Sequence, residues 1–124
     1  MPFRLVAVED EPEIAELLRV VLTCPQIVLY SAVTGHEGLA LIHEVRPHLA
    51  ILDVMLPGEL DGWQVFDALR ANPDFHALPI IILTVLRERV ERRAAFRDNM
   101  LNQYVSKPFD TPVLRAHVER MLGQ

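Results

Sequence analysis

The chain has 124 residues, 51% of them hydrophobic, which is within the range of a single domain that buries a core of its own. A formal charge of -5 excludes the broad basic face of a general nucleic-acid binder, and a single cysteine, Cys24, excludes an internal disulfide and a thiolate metal cluster. The opening MPFRLVAVED is an apolar run too short for a signal-peptide core or a membrane span, so a soluble cytoplasmic protein without membrane contact is expected.

The elements alternate along the chain. A strand is predicted over 4–8 (RLVAV), followed by a helix on which Ile14, Leu17, Leu18, Val21 and Leu22 recur at helical spacing. Pro12 stands in its first turn, where a missing N–H costs nothing. A second strand over 27–30 (IVLY) precedes Thr34 and Glu37, a capping-box pair ahead of Leu39, Leu41 and Ile42. The third strand, 49–52 (LAIL), leads to Asp61 and Gln64, a similar pair ahead of Val65, Phe66 and Leu69. A fourth strand over 80–83 (IIIL) is followed by a helix from about Glu88 to Arg97, made basic by Arg87, Arg89, Arg92, Arg93 and Arg97. The last unit is a strand over 103–106 (QYVS) and a helix from Thr111 and Pro112 that buries Leu114, Val118 and Met121. Three of these strands are almost wholly apolar, as strands covered on both faces must be. Five such units predict an α/β fold: a flavodoxin-like, doubly wound, five-stranded parallel sheet in the order 2-1-3-4-5, with five helices.

In such sheets ligands bind beyond the carboxyl ends of the strands. Those ends carry Glu9, Asp10 and Glu11 after strand one, Asp53 on strand three, Thr84 on strand four and Lys107 after strand five. Carboxylates about 4 Å apart repel by roughly 4 kcal/mol per pair in a partly screened setting, so the cluster calls for a cation. The candidate ligands are oxygens, which suit Mg²⁺ better than zinc. Lys107 is the one lysine among twelve strongly basic residues. A compact ammonium fits a phosphoryl oxygen as a point charge, where the wide fork of arginine would need different geometry.

Taken singly, each residue has a plainer reading: the acids as a solvated turn, Asp53 as a strand-end cap, Thr84 as strand packing, Tyr104 as packing and Lys107 as a surface lysine. Their joint placement favours a site. AVEDE ending strand one, LAILDVMLPGELDGW around Asp53, IIILT ending strand four and YVSKPF at strand five together resemble the response-regulator receiver domain of two-component signalling, chemotaxis-regulator-like, over residues 1–124. The resemblance implies that Asp53 accepts a phosphoryl group from a sensor histidine kinase or phosphotransfer protein. It implies that Glu9, Asp10, Asp53 and the main-chain carbonyl of Met55 hold Mg²⁺, and that Lys107 and Thr84 contact the phosphoryl oxygens. Thr84 and Tyr104 would act as the switch, and the Lys107–Pro108 peptide bond would be cis. A downstream protein or output domain would then be met through the face of helix four, strand five and helix five, with a homodimer left open and no direct nucleic-acid contact by this domain.

This chain departs from the family pattern in three places: one extra residue in PGELDGW, Val85 where a small residue is usual, and NMLNQ before Tyr104, where Asn99 would end the helix. An aspartate-nucleophile phosphatase would want a second acid at the position of Met55, so an enzyme is not expected. The remaining alternative is a receiver-like module that signals by binding without phosphorylation, and such modules usually lose the acids or the lysine.

Overall fold

A computed structural model describes residues 2–84 and 101–123. Its elements run β1 (Phe3–Val8), α1 (Pro12–Leu22), β2 (Ile27–Ala32), α2 (Gly35–Val45), β3 (Leu49–Asp53), α3 (Gly62–Ala71), β4 (Ile80–Thr84), β5 (Asn102–Ser106) and a C-terminal helix (Thr111–Met121). All strands are parallel, in the order β2-β1-β3-β4-β5. The C-terminal helix is the fifth of those expected from the sequence. The fourth, about Glu88 to Arg97 with its arginines, lies outside the described residues, as do Val85 and Asn99. Four helices are therefore described. None of them is long and apolar enough to cross a membrane.

The sheet separates two cores because neighbouring side chains of a strand point to opposite faces. Val6, Val8, Ala50, Leu52, Ile80 and Ile82 share one face with Ile42 of α2 and Val65, Phe66 and Leu69 of α3. Leu5, Ala7, Leu49, Ile51, Ile81 and Leu83 share the other with Leu18 and Leu22 of α1 and Leu114, Val118 and Met121 of the C-terminal helix. The near-continuous apolar runs of β1, β3 and β4 follow directly from this double burial. Leu17 departs from expectation, remaining 37% exposed at the margin of the α1 stripe while Leu18 is fully buried. Successive helical residues lie about 100° apart, so only one of the pair can face the sheet.

Helix starts follow the local signals. At Asp61 the capping box is complete: its carboxylate accepts from Gln64 N–H at 2.9 Å, and the Gln64 side chain accepts from Asp61 N–H at 2.8 Å. At α2, Thr34 Oγ1 accepts from Glu37 N–H at 3.1 Å. β2 runs two residues beyond its apolar stretch because Ser31 and Ala32 still pair with Ala7 and Val8.

At the amino ends of the strands, the guanidinium of Arg70 gathers the chain. Nη1 donates to Leu78 O at 2.8 Å, and Nη2 donates to Leu101 O at 3.0 Å and to Asn102 Oδ1. The group also lies over the Phe66 ring, 5.1 Å from its centroid. One half-buried side chain thus joins α3, the segment before β4 and the start of β5. Replacement by methionine leaves these acceptors without a charged donor and should lower the free energy of unfolding by about 2 kcal/mol in urea titrations. Lysine should restore less than half of that loss, since a single ammonium cannot span both sides of the fork.

Candidate functional site

The register of the sheet carries the site. Val8 pairs with Leu52, Asp53 with Leu83 and Thr84 with Ser106, so the carboxyl ends of β1, β3, β4 and β5 finish side by side. The ladder continues past the strands through Glu9 N–H to Ala32 O at 3.0 Å and Lys107 N–H to Thr84 O at 2.9 Å. Backbone hydrogen bonds therefore fix where Glu9, Asp53, Thr84 and Lys107 emerge. Among the described residues, Glu9, Asp53 and Thr84 are the buried polar or charged ones, each 2% exposed or less. Buried polar groups in an otherwise aliphatic sheet need partners.

Lys107 Nζ supplies the charge. It lies 2.7 Å from Glu9 Oε1, 3.3 Å from Asp53 Oδ2 and 3.9 Å from Glu11 Oε1. Asp53 Oδ1 accepts from Met55 N–H at 3.1 Å, and Glu9 Oε2 accepts from Glu11 N–H at 3.2 Å. The Glu11 side chain itself is largely exposed. Glu9 Oε1 is fully buried, and the ammonium is the partner found for it. Each of Glu9, Asp10 and Asp53 offers an oxygen within 4.8 Å of the others. Three carboxylates against one ammonium leave the cluster net negative. A hard divalent cation fits this all-oxygen donor set and the under-satisfied Glu9 Oε1.

The electrostatic strain is read on Glu9. Burial, reinforced by the neighbouring Asp53 carboxylate, pushes its carboxyl from the usual range up to about 7, although Lys107 and the Glu11 amide pull the other way. For Lys107, burial works against the charge, but Glu9 and Asp53 outweigh it, so the ammonium titrates above its ordinary range. Tyr104, on β5 opposite Ile82, is half-buried against the core that lines α2 and α3. The Lys107–Pro108 peptide bond is cis. Met55 stands in the loop after β3 and is 58% exposed.

A model of the family "Response regulator receiver domain" matches residues 5–119. The chain belongs to that family. This receiver is 38% identical over 119 residues to the phosphate regulon transcriptional regulatory protein PhoB of Rhizobium meliloti, covering 96% of this chain and 52% of that protein. It is 32% identical over 119 residues to the DNA-binding dual master transcriptional regulator RpaA of Synechocystis, covering 96% and 48%. The chain spans about half the length of the curated relatives it matches first. A crystal structure of a putative response regulator from Chloroflexus aurantiacus superposes over the whole of both chains with a TM-score of 0.85 at 30% identity. The receiver is a phosphoacceptor component of two-component signalling, a relay module rather than a conventional enzyme.

The raised Glu9 titration has a signed consequence in metal-free protein. A carboxyl whose folded value (about 7) exceeds its unfolded one (4.5) favours the fold when protonated. That stabilisation is complete below pH 4.5 and is lost as pH rises through 7. Glu9→Gln removes the titration, so in EDTA its stability relative to the parent should rise by about 2 to 3 kcal/mol between pH 5 and pH 8. A difference that stays flat over this range in urea titrations would show that Glu9 is ionised throughout.

Proposed function

We propose that Asp53 is the phosphoacceptor, taking its phosphoryl group from the phosphohistidine of a sensor histidine kinase or phosphotransfer protein. The observation that carries this reading is the pair of contacts on its carboxylate. One oxygen is held by Met55 N–H and the other faces Lys107 Nζ, at the end of a sheet whose sides are closed by aliphatic residues. The carboxylate is thereby oriented as a nucleophile. An Asp53 oxygen forms the bond to phosphorus as the P–N bond of the donor breaks, and the leaving imidazole keeps its electron pair and takes a proton from solvent. Positioning and charge neutralisation do most of the work in such transfers, so no separate general base is required.

Mg²⁺ would be held by Glu9, Asp10, Asp53 and the main-chain carbonyl of Met55, and its chemistry there is to neutralise charge on the phosphoryl oxygens. Lys107 shifts from its carboxylate partners to one of those oxygens, and the Thr84 hydroxyl donates to another. The inward movement of Thr84 opens room for Tyr104, which carries the event to the surface of strand five and the flanking helices. A downstream protein or output domain reads that surface, and a homodimer through it is compatible with the same chemistry. Residues 1–124 act as one cytoplasmic receiver domain that does not itself contact nucleic acid. The convergence of three acids and the lysine is what a module signalling without phosphorylation would have no reason to keep.

Asp53→Asn should fold with an unchanged circular dichroism spectrum yet take up no label from radioactive acetyl phosphate and Mg²⁺. Labelling of that variant at a site shared with the parent would overturn the assignment.

The lifetime of the aspartyl phosphate follows from Met55. Hydrolysis needs a water placed in line with phosphorus, and a thioether side chain beside Asp53 has no strong donor or acceptor with which to place it. Loss of phosphate from the isolated protein should be slow, and Met55→Asn should speed it by about tenfold, within the range that positioning a single reactant supplies. An unchanged rate would show that another feature limits the water.

A further inference from the structure

The loop between β3 and α3, residues 54–61, carries Met55 and is bracketed by two helix starts that have no side chain at the point of contact. An ideal Cβ on Gly62 would lie 2.0 Å from Asp53 O and 2.8 Å from Val54 Cα. One on Gly35 would lie 2.3 Å from Leu60 O and 2.9 Å from Leu60 Cβ. Both glycines are buried, and neither has a positive φ, which among the described glycines is confined to Gly58 and Gly123. Space, not torsion, is what the two positions demand.

The neighbours that a Cβ would meet are backbone atoms and the Leu60 Cβ fixed directly to the backbone, none of which can rotate aside as the far end of a side chain can. Asp53 is pinned in the sheet between Leu83 and its own chain neighbours, and the start of α3 is pinned by the Asp61–Gln64 capping box. Gly62 N–H donates to Val54 O at 3.0 Å, and Leu56 N–H donates to the same oxygen at 3.2 Å. That doubly held carbonyl fixes the turn from which Met55 N–H reaches Asp53 Oδ1. What has room to yield is the exposed part of the loop, Met55 and residues 57–59, on either side of the buried Leu56.

We propose that Gly62 and Gly35 are positioning residues, allowing the first turns of α3 and α2 to close directly on the β3–α3 loop and so setting the Met55 main chain against the Asp53 carboxylate. The proposal rests on the phosphoacceptor reading for its consequence, but the geometry it asserts exists without metal. A methyl group at either position moves the loop outward, lengthens or breaks the Met55–Asp53 bond, and carries the Met55 carbonyl away from the acids. The helices and the sheet keep their places.

The test compares the parent with Gly62→Ala, Gly35→Ala and Val118→Ala, the last a truncation in the other core that lowers stability without touching the loop. Each is held at a temperature where circular dichroism shows it folded. Mg²⁺ affinity is measured by calorimetry, and exchange of the Met55 amide by NMR in EDTA. Both glycine variants should lose about tenfold or more in Mg²⁺ affinity, the scale on which groups that orient metal ligands act. They should also exchange the Met55 amide at least about tenfold faster than the parent, as a lost hydrogen bond with a local opening requires. Val118→Ala should lower the thermal midpoint and leave both quantities at parental values. Folded glycine variants with parental affinity and parental exchange would overturn the proposal. Should Gly62→Ala not fold, Gly35→Ala decides, because it crowds only the far end of the loop. A parent that binds no Mg²⁺ would count against the phosphoacceptor reading, and the amide exchange would still decide the role of the glycines.

Discussion

The ion pair between Lys107 and the two buried carboxylates of Glu9 and Asp53 is the constraint on which the site depends. Two acids at the end of an aliphatic sheet are costly to ionise together, and one ammonium compensates them incompletely. The shortfall is expressed in the Glu9 titration and in an oxygen without a well-formed hydrogen bond. A site with a standing deficit of positive charge suits a cation, and on the proposed reading its ammonium is a charge to redeploy when a phosphoryl group arrives. The same contact therefore offsets part of the cost of the resting form and, on that reading, supplies the means of leaving it.

That ion pair exists because parallel strands end in register. Each member comes from a different strand, and the ladder is extended by one hydrogen bond beyond β1 and beyond β5 before the side chains diverge. Slippage of any strand by one residue would turn its terminal acid or lysine to the wrong face. The double-sided burial of β1, β3 and β4 guards against such slippage, since every residue of β3 and β4 is enclosed. Core packing, remote as it is from the chemistry, thereby sets distances at the acids.

Much of this is legible in the amino-acid order. Apolar runs of four residues, LVAV, LAIL and IIIL, mark strands covered on both faces, and the Asp61–Gln64 pair marks the start of α3 because its reciprocal hydrogen bonds are local. The positions of Glu9, Asp53, Thr84 and Lys107 follow once strands are assigned, since each stands where a predicted strand stops. Other features are legible only in three dimensions. Which leucine of Leu17 and Leu18 faces the sheet depends on how α1 is rotated, and the extension of β2 through Ser31 depends on pairing with β1. The demand for glycine at position 62 arises from the carbonyl of Asp53, nine residues earlier, and the Asp-Gly pair alone reads as an ordinary helix entry. Arg70 is likewise silent in sequence: its acceptors lie up to 32 residues away, and nothing local distinguishes it from a solvated helix arginine.

The Arg70 fork gives the molecule a mechanical polarity. At one end of the sheet a rigid guanidinium ties α3, the approach to β4 and the first residues of β5 into a single block. At the other end the same strands terminate in side chains gathered by the single ammonium of Lys107. On the proposed reading, a disturbance that starts at Thr84 and Lys107 would meet a strand held at Leu101 and Asn102 by the charged fork and at Lys107 by one backbone hydrogen bond to Thr84. Any displacement of β5 would then be smallest at Asn102, with Tyr104 partway along the lever arm towards Lys107.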